Sequence, residues 1–391
     1  MVNIKIALIR GPYLRPNGIL PWEWLHNNYE YIDVTAFRSK PSRFDTSVLN
    51  MPVRELHWLD GKIDLFDKKY LLWKGLGYMK LPKSILLGIR KITSEFDIIH
   101  TSENFNFFSF QAAFWSKLKG KKFVFSAGDN IPYPLRQRNF ITWRIKKFVN
   151  NSASAITTTT ILGKRALIHE GVNPDKITVI PNALDFKYFD KAPKDSHKVG
   201  LPEELDRTFN ILFVHRLTEE KGIYYLIKAF KTISKEISDL RLILVGENKL
   251  DEKYYNKHVR SNSKIYHVEF ILNTEIKNLY NLSDVFILPS ITMPNNEEQF
   301  GMALLEAMAC GKPSIVTDVG GLPYVADKDK TSLIINERST KEIEDAIRVL
   351  YEDDKLRNRL GRYSYDYVRK NFSKKVVGEK IHSFYKNLGV K

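Results

Sequence analysis

Residues 298–313 read Glu298-Gln-Phe-Gly-Met-Ala-Leu-Leu-Glu-Ala-Met-Ala-Cys-Gly-Lys-Pro313. The apolar run after Gly301 predicts a helix, and Gly311 followed by Pro313 is a common way for a helix to end. The first N–H groups of a helix are unpaired and lie at the positive end of its dipole, so they attract phosphate. Met302 to Leu304 could supply such groups, and Gly301 has no side chain to keep a diphosphate away.

Two carboxylates flank this helix start. In one continuous helix Glu298 and Glu306 would lie about 12 Å apart, comparable to the span from the sugar to the ribose of a nucleotide-sugar. The spacing therefore predicts a site that binds a diphosphate in the middle and hydroxyl groups at both ends. An ordinary helix with solvated glutamates is the alternative, because charged residues are common and the spacing alone is weakly specific.

Other segments of the chain accompany this one in a consistent order. They are Asp97-Ile-Ile-His100, Ile177-Thr-Val-Ile-Pro-Asn182-Ala-Leu-Asp185, Phe213-Val-His-Arg216-Leu-Thr-Glu-Glu-Lys221-Gly222, Leu244-Val-Gly246-Glu247 and Tyr280-Asn-Leu-Ser-Asp284-Val-Phe-Ile-Leu-Pro-Ser290. Together they resemble the retaining glycosyltransferases of family 4, also called glycosyl transferases group 1, strongly from Ile177 to Asn336 and weakly before His100. The resemblance implies the α/β GT-B fold, in which two doubly wound Rossmann-like domains face each other across a cleft.

Length and composition limit the class of protein. A chain of 391 residues suggests two domains, and no apolar run approaches the ~20 residues of a membrane span. The N-terminal run is charged too early for a signal peptide and predicts a buried strand. The single cysteine, Cys310, cannot form an internal disulfide and fits a reducing compartment. We therefore expect a cytoplasmic protein, and the scattered histidines give no metal-ligand spacing.

The net charge of +16 is concentrated in the first half of the chain. Residues 1–200 have 31 Lys and Arg against 17 Asp and Glu, whereas residues 201–391 have 30 against 28. The first half is therefore expected to meet something negative, such as an anionic membrane surface or a phosphorylated acceptor. Nucleic acid is a third possibility on charge, but it is not the expected partner.

Apolar runs alternate with amphipathic stretches in both halves, as in doubly wound parallel sheets. The predicted strands are Ile4–Ile9, Tyr31–Ala36, Phe96–His100, Lys121–Ser126, Ala155–Thr159, Phe209–His215, Arg241–Val245, Ile265–Phe270, Val285–Pro289 and Ser314–Thr317. We predict an N-terminal acceptor-binding domain over 1–190, a linker over 191–206 and a nucleotide-sugar-binding domain over 207–371. Residues 372–391 are predicted to form a helix that, by the resemblance, crosses back onto the first domain.

Arg216 and Lys221 follow a predicted strand closely enough to reach one diphosphate. The planar guanidinium and the compact ammonium suit two phosphates whose negative charge grows as a sugar–phosphate bond breaks. By the resemblance, both stabilise the leaving group, and both are expected to be exposed in a cleft. Two solvated loop cations are the alternative. The family often has a glycine where His215 stands.

The remaining donor-site residues follow from the resemblance. Glu306 would bind the ribose hydroxyls, since a carboxylate can accept from both hydroxyls of a diol, and Glu298 would face the donor sugar and support catalysis. Donor contacts are implied for Gly18, Gly246 and Phe300, and backbone contacts to phosphate or sugar are implied for Gly301, Met302 and Ala303. The donor is a UDP- or GDP-sugar, and neither a metal nor another cofactor is implied.

The first half departs from the family pattern. Many members have a histidine near the donor sugar where this chain has Gly128, so Asp129 or Asn130 could take the acceptor-side role. A simple turn explains Gly-Asp-Asn equally well. His100 is a further catalytic candidate, although a histidine at a strand end is more often structural.

The stretch 136–148 combines cations with large apolar residues. It predicts a helix on an anionic membrane surface, so peripheral association with the inner face of the membrane is a further expectation. A helix with one buried face and one solvated basic face is the alternative.

The sequence as a whole predicts a retaining hexosyltransferase that uses a nucleotide-sugar and a glycan or lipid-linked acceptor. A non-catalytic binder of anionic lipid or nucleic acid on the same scaffold is the second hypothesis. The donor base, the sugar, the acceptor and the oligomeric state are left open.

Overall fold

The computed structural model describes residues 3–40, 42, 44–59, 85–134, 139–272, 274–327 and 330–389. The chain forms two compact units, which are Met1–Ala183 together with Lys374–Lys391, and Leu184–Ser373. The segment expected as a linker, 191–206, lies within the second unit, where the side chain of Leu205 is fully buried in the core.

The first unit is built on a doubly wound sheet. Its elements are β1 Ile4–Gly11, α1 Leu20–Asn28, β2 Ile32–Lys40, β3 Val53–Leu59, β4 Ile85–Leu86, α2 Ile89–Glu95, β5 Ile98–Ser102, α3 Phe107–Leu118, β6 Lys122–Ala127, α4 Phe140–Ser152, β7 Ala155–Thr158, α5 Ile161–His169 and β8 Ile177–Val179. The order of the described strands is β4-β3-β2-β1-β5-β6-β7-β8. The strands pair in parallel, apart from β3 with β4.

The sheet of the first unit is buried on both faces. Ala7 and Ile9 of β1 belong to one apolar cluster, whereas Ile6 and Leu8 belong to another. This division follows from the alternation of side chains along a strand. The near-continuous apolar run of β1 is typical of a central parallel strand.

The last helix of the chain, α13 (Lys374–Lys386), also belongs to the first unit. Val377, Ile381, Phe384 and Tyr385 of α13 pack in the cluster that includes Trp22 of α1. A Cβ atom at Gly378 would lie 2.3 Å from the ring of Trp24. The absence of a side chain at this position therefore lets the two helices approach closely.

The second unit has a parallel sheet of its own. Its elements are β9 Phe209–Val214, α6 Ile223–Ile233, β10 Leu240–Val245, α7 Glu252–Tyr255, β11 Ile265–Val268, α8 Ile276–Leu282, β12 Val285–Leu288, α9 Met302–Ala309, β13 Ser314–Thr317, α10 Leu322–Val325, β14 Ser332–Ile335, α11 Thr340–Glu352 and α12 Asp354–Phe372. The described strands are ordered β11-β10-β9-β12-β13-β14. The predicted α/β class with two Rossmann-like sheets is confirmed.

The strand order of the second unit marks where a ligand would bind. The chain proceeds outward from β9 to β10 and β11, and then returns to place β12 on the other side of β9. Doubly wound sheets bind ligands outside the carboxyl ends of the two strands at such a reversal. The loops that follow β9 and β12 contain Lys221 and Glu298.

Candidate functional site

Lys221 and Glu298 form a buried ion pair where these two loops meet. Lys221 ends a short 3₁₀ turn, Glu219–Lys221, just before α6. Its Nζ donates a hydrogen bond to Oε2 of Glu298 over 2.7 Å, and the two residues are only 7% and 9% exposed. Ser290, two residues beyond β12, also donates to Oε2 of Glu298, over 3.4 Å.

The electrostatics of this pair keep the carboxyl of Glu298 ionised. Burial raises the pKa of Glu298, but the charge and the hydrogen bond of Lys221 outweigh it, so the net pKa lies below its usual value. Burial and the positive charge of Lys221 lower the pKa of the neighbouring His215 to about 4. At neutral pH, His215 is therefore uncharged and adds no further positive charge to the site.

The expectation that both cations would be exposed is wrong for Lys221 and right for Arg216. The side chain of Arg216 is 54% exposed, and its guanidinium lies 3.7 Å from the carboxylate of Glu220. Lys221 is buried where the loop after β9 contacts the loop that follows β12. The structure thus provides one buried cation and one accessible cation after β9.

Gly222 lets the loops after β9 and β12 come together. Its φ of 71° lies in the left-handed region, and a Cβ atom here would stand 1.7 Å from the carbonyl oxygen of Pro289. The backbone N–H of Ile291 donates to the carbonyl oxygen of Glu220 over 3.0 Å. Any side chain at 222 would therefore separate Lys221 from Glu298.

The helix predicted after Gly301 is present as α9, and Gly301 is its N-cap with a φ of 88°. Because α9 begins at Met302, Glu298 lies before the helix. The spacing of about 12 Å for a continuous helix therefore does not apply. The loop before α9 is anchored by the backbone N–H of Gly321, which donates to the carbonyl oxygen of Glu298 over 2.8 Å. Met302 to Leu304 form the first turn of α9, where N–H groups have no acceptor within the helix.

Glu306 lies farther along α9 and accepts a hydrogen bond from the hydroxyl of Tyr280 over 2.7 Å. Burial raises the pKa of Glu306 to about 7, although the hydrogen bond from Tyr280 acts in the opposite direction. Part of the residue remains accessible to solvent. The carboxyl group of Glu306 is therefore a poorly solvated acceptor that hydroxyl groups of a ligand could satisfy.

Two predicted contact residues of the second unit already have contacts within the protein. The ring of Phe300 is buried and packs edge-on against Phe372, with centroids 6.1 Å apart. Gly246 follows β10, its N–H donates to Val268 O over 2.9 Å, and its carbonyl oxygen is 2.8 Å from His267 Nε2. Ligand contacts by these two residues stay predictions.

His100 of the first unit is enclosed in a buried polar network. Its Nδ1 is 2.5 Å from the hydroxyl of Tyr385 and its Nε2 is 2.8 Å from Oγ of Ser126. The indole N–H of Trp22 also donates to Tyr385 over 2.8 Å. Burial lowers the pKa of His100 well below its usual value. These contacts favour the structural alternative for His100, and a catalytic role stays a prediction.

Asp129 and Asn130 lie in the loop after β6, which other parts of the first unit hold in place. Oδ1 of Asn130 accepts from the hydroxyl of Thr160, and the N–H of Gly128 donates to Oε1 of Glu103. Asp129 is partly accessible. Gly18 is exposed at the end of the 3₁₀ turn Pro16–Gly18 and bonds only locally, to Arg15 O over 3.0 Å. The acceptor-side roles of these residues stay predictions.

A buried ion pair of the first unit was not anticipated. Lys146 of α4 bonds to Oε1 of Glu170 at 2.5 Å, and both side chains are almost fully buried. The N–H of Tyr133 donates to the same carboxylate over 3.1 Å. Lys146 therefore belongs to the core and not to the lipid-facing cations among which the sequence had placed it. Arg136 and Arg138 lie outside the described residues.

The second unit contributes two further polar groups that the sequence did not indicate. Tyr280 lies inside α8 and reads as a core aromatic, so only the fold brings its hydroxyl to Glu306. Ser290 lies two residues beyond β12, and a polar residue so close to the end of an apolar strand could have been recognised as a site candidate.

The fold is that of the GT-B class, with two Rossmann-like units. The family model described as glycosyl transferases group 1 matches residues 199–367, and the model for glycosyltransferase family 4 matches residues 57–188. The chain belongs to this family of glycosyltransferases.

Curated relatives share part of the chain. The D-inositol 3-phosphate glycosyltransferase of Paenarthrobacter aurescens is 26% identical over 250 residues, which cover 62% of this chain and 59% of that protein. The capsular polysaccharide biosynthesis glycosyltransferase CapM of Staphylococcus aureus is 28% identical over 223 residues, 54% of this chain and 55% of that protein. The chain thus spans between about half and three fifths of the length of these relatives.

The fold is shared with a solved structure over nearly the whole chain. The Anabaena protein HepE in complex with UDP superposes with a TM-score of 0.75 at 17% identity, covering 98% of this chain and 100% of that one. The same protein has also been solved with UDP-glucose. Among the helices of the described residues, none is long and apolar enough to cross a membrane.

Proposed function

We propose that this protein is a retaining hexosyltransferase that moves a sugar from a nucleotide-sugar to an acceptor hydroxyl. The buried pair of Lys221 and Glu298 carries this proposal, because it lies at the carboxyl ends of β9 and β12. An ammonium group held in a poorly solvated position interacts strongly with charge that develops on a departing diphosphate.

The chemistry assigns a role to each charged group of the second unit. As the bond between the anomeric carbon and the phosphate oxygen breaks, the diphosphate gains negative charge, which Lys221 and the accessible Arg216 neutralise. Glu298 orients Lys221 and faces the sugar, and the N–H groups at the start of α9 receive phosphate or sugar oxygens. Glu306 binds the ribose hydroxyls, so Glu306→Ala weakens nucleotide affinity.

The donor is a UDP-sugar in the first instance, with a GDP-sugar as the alternative. The Anabaena protein, which shares this fold at 17% identity, binds UDP and UDP-glucose. This supports uridine as the base of the donor. The acceptor is a glycan or lipid-linked glycan, and the excess of cations in residues 1–200 suits an acceptor that carries phosphate. Asp129 or Asn130 would contact the acceptor, and retention of configuration rests on the family resemblance.

The competing hypothesis is a non-catalytic binder of anionic lipid or nucleic acid on this scaffold. The basic charge of the first half favours it. A donor-turnover assay separates the two hypotheses. UDP- and GDP-hexoses are incubated with the protein and a panel of glycan and lipid-linked acceptors, and release of the nucleoside diphosphate is followed.

We expect release from one donor with one acceptor, and a loss of about 10²–10³-fold in Arg216→Ala, as for removal of a charge partner of the transition state. The anomeric proton of the product, followed by NMR, should show the configuration of the donor. Nucleotide binding without turnover on any acceptor would support the binder.

A further inference from the structure

α3 and α4 of the first unit expose an unusual number of large apolar side chains. On α4, Phe140 is 66% exposed, Ile141 53% and Trp143 40%. On α3, Phe114 is 40% exposed and Leu118 is 63% exposed. We call these five residues the α3/α4 surface. Scattered apolar residues are ordinary on a protein surface, but a group on two neighbouring helices marks a binding surface.

Aromatic contacts connect part of this surface across the two helices. Phe110 of α3 and Phe148 of α4 are in contact, with ring centroids 4.9 Å apart. Phe110 also stacks with Phe114 one turn further along α3, at 6.4 Å. Ile141 lies two turns before Phe148 and therefore on the same side of α4. The aromatic contacts thus join Phe114 of α3 to the side of α4 that carries Ile141.

Cations are paired with the exposed aromatic rings of α4. The guanidinium of Arg144 lies 4.6 Å from the ring centroid of Phe140, and Nζ of Lys147 lies 5.2 Å from that of Trp143. Each ring is therefore next to a positive charge at the surface. Aromatic and cationic side chains in this arrangement suit the boundary between lipid headgroups and acyl chains, where one end of a side chain is wet and the other is apolar.

The segment that contains α3 and α4 is rich in cations. Residues 103–170 contain 11 Lys and Arg against three Asp and Glu, and one of the cations, Lys146, is paired with Glu170 in the core. The inner face of α4 is fixed by the buried pair of Lys146 with Glu170 and by Val149. Asn139 caps the helix by accepting from the N–H of Thr142 over 2.9 Å. The outer face is thus presented by a helix anchored in the core.

We propose that the α3/α4 surface docks on an anionic lipid bilayer. Cations near such a membrane are attracted by its negative surface potential, and the exposed rings and aliphatic groups enter the interface. The proposal deepens the proposed function by naming where a lipid-linked acceptor would be met. It extends the predicted membrane segment 136–148 to α3, and it removes Lys146 from the lipid-facing cations.

Vesicle sedimentation of the full chain tests this proposal. Vesicles of phosphatidylcholine alone are compared with vesicles that also contain phosphatidylglycerol, each at low and high salt. Three double variants remove separate contributions. They are Phe140→Ser with Trp143→Ser, Phe114→Ser with Leu118→Ser, and Arg144→Gln with Lys147→Gln. The matched controls are Phe270→Ser, a ring 78% exposed on the second unit, and Lys228→Gln with Lys235→Gln, two exposed lysines of the second unit.

We expect the protein to sediment with the vesicles that contain phosphatidylglycerol and not with those of phosphatidylcholine alone. High salt should weaken this binding. Each double variant should bind about tenfold more weakly, the change that corresponds to about 1.4 kcal/mol of lost interface contact, and the controls should bind like the wild type. The variants should still bind UDP normally, so failure of this proposal is distinct from failure of the proposed function.

Two results would overturn the proposal. One is wild-type protein that stays in the supernatant at low salt, or binds equally well without these side chains. The other is a dimer in vesicle-free solution that the α3/α4 variants dissociate, which would assign the surface to a second copy of this chain.

Discussion

Nζ of Lys221 lies 2.7 Å from Oε2 of Glu298, although 77 positions separate the two residues in the chain. One follows β9 and the other precedes α9, so the pair exists only because the sheet places β12 beside β9. Lysine has three hydrogen-bond donors. Lys221 can therefore keep Glu298 while its remaining donors are directed at phosphate oxygens.

Removal of the ammonium group of Lys221 should lower stability as well as turnover. Lys221→Ala leaves the carboxylate of Glu298 buried without its partner, which typically costs about 3–5 kcal/mol. Urea unfolding measures the loss. The double variant Lys221→Met, Glu298→Gln removes both charges, so it should recover most of that stability but none of the turnover. Equal stability of Lys221→Ala and wild type would contradict the burial of this pair.

Arg216 should behave differently from Lys221, because its side chain is half exposed and its contact with Glu220 spans 3.7 Å. Surface ion pairs of this kind contribute about 0–1 kcal/mol. Arg216→Ala should therefore unfold at nearly the same urea concentration as the wild type while losing turnover. Arg216→Lys keeps the charge without the planar fork and should recover part of the activity. Wild-type turnover in both variants would remove Arg216 from the site.

The raised pKa of Glu306, about 7, makes stability depend on pH. The native state holds a proton that the unfolded chain loses near its usual pKa of 4.5. The contribution of protonated Glu306 to the free energy of unfolding is thus fully present below pH 4.5 and is lost as the pH rises through about 7. Glu306→Gln carries no titrating group, so its melting temperature relative to wild type should be higher at about pH 8 than at about pH 5. His215 titrates in both proteins and cancels in the difference, and a difference independent of pH would contradict the prediction.

Gly222 should tolerate no side chain. Gly222→Ala places a Cβ atom 1.7 Å from Pro289 O, and we expect a loss of about 4 kcal/mol or more, since the two loops must separate. Gly200→Ala is the matched control, because Gly200 also has a positive φ, of 66°, but nothing within 4 Å of its Cβ position. The control should lose only about 1–2 kcal/mol from backbone strain. Similar losses in both variants would show that the loops are not in contact at Gly222.

The sequence predicted the central strands of both sheets because these strands are buried on both faces. It did not predict β3, β4, β8 and β14, which lie at or next to the edges of the sheets. The continuous apolar run Phe209–His215 closely matches β9, and the glycine at 301 matches the observed start of α9. Runs of this kind report burial directly. The segment 191–206 was wrongly predicted to be a linker, because its many charges are typical of exposed chain. Its residue Leu205 is nevertheless completely buried in the second unit.

The sequence named charged candidate residues, whose roles stay predictions, but it did not indicate their environments. Nothing local to Lys221 shows that β12 and its loop will cover it, so its burial could not be predicted. The same holds for His100, whose two ring nitrogens are bonded to Tyr385 and Ser126 from distant parts of the chain. The sequence placed Lys146 among several cations of one helix, and only the fold shows that it is paired with Glu170. Residue types follow from motifs, whereas burial and partners follow from long-range packing.

Calorimetric titration with UDP, GDP and ADP tests the central claim, nucleotide binding beside Lys221, most directly. The titrations use the wild type, Arg216→Ala and the charge-free pair Lys221→Met, Glu298→Gln, whose folding is checked by its unfolding curve. We predict that UDP binds the wild type, that Arg216→Ala binds it more weakly, and that the charge-free pair does not bind it. Binding of no nucleotide by the wild type, or equal binding by all three proteins, would contradict the account.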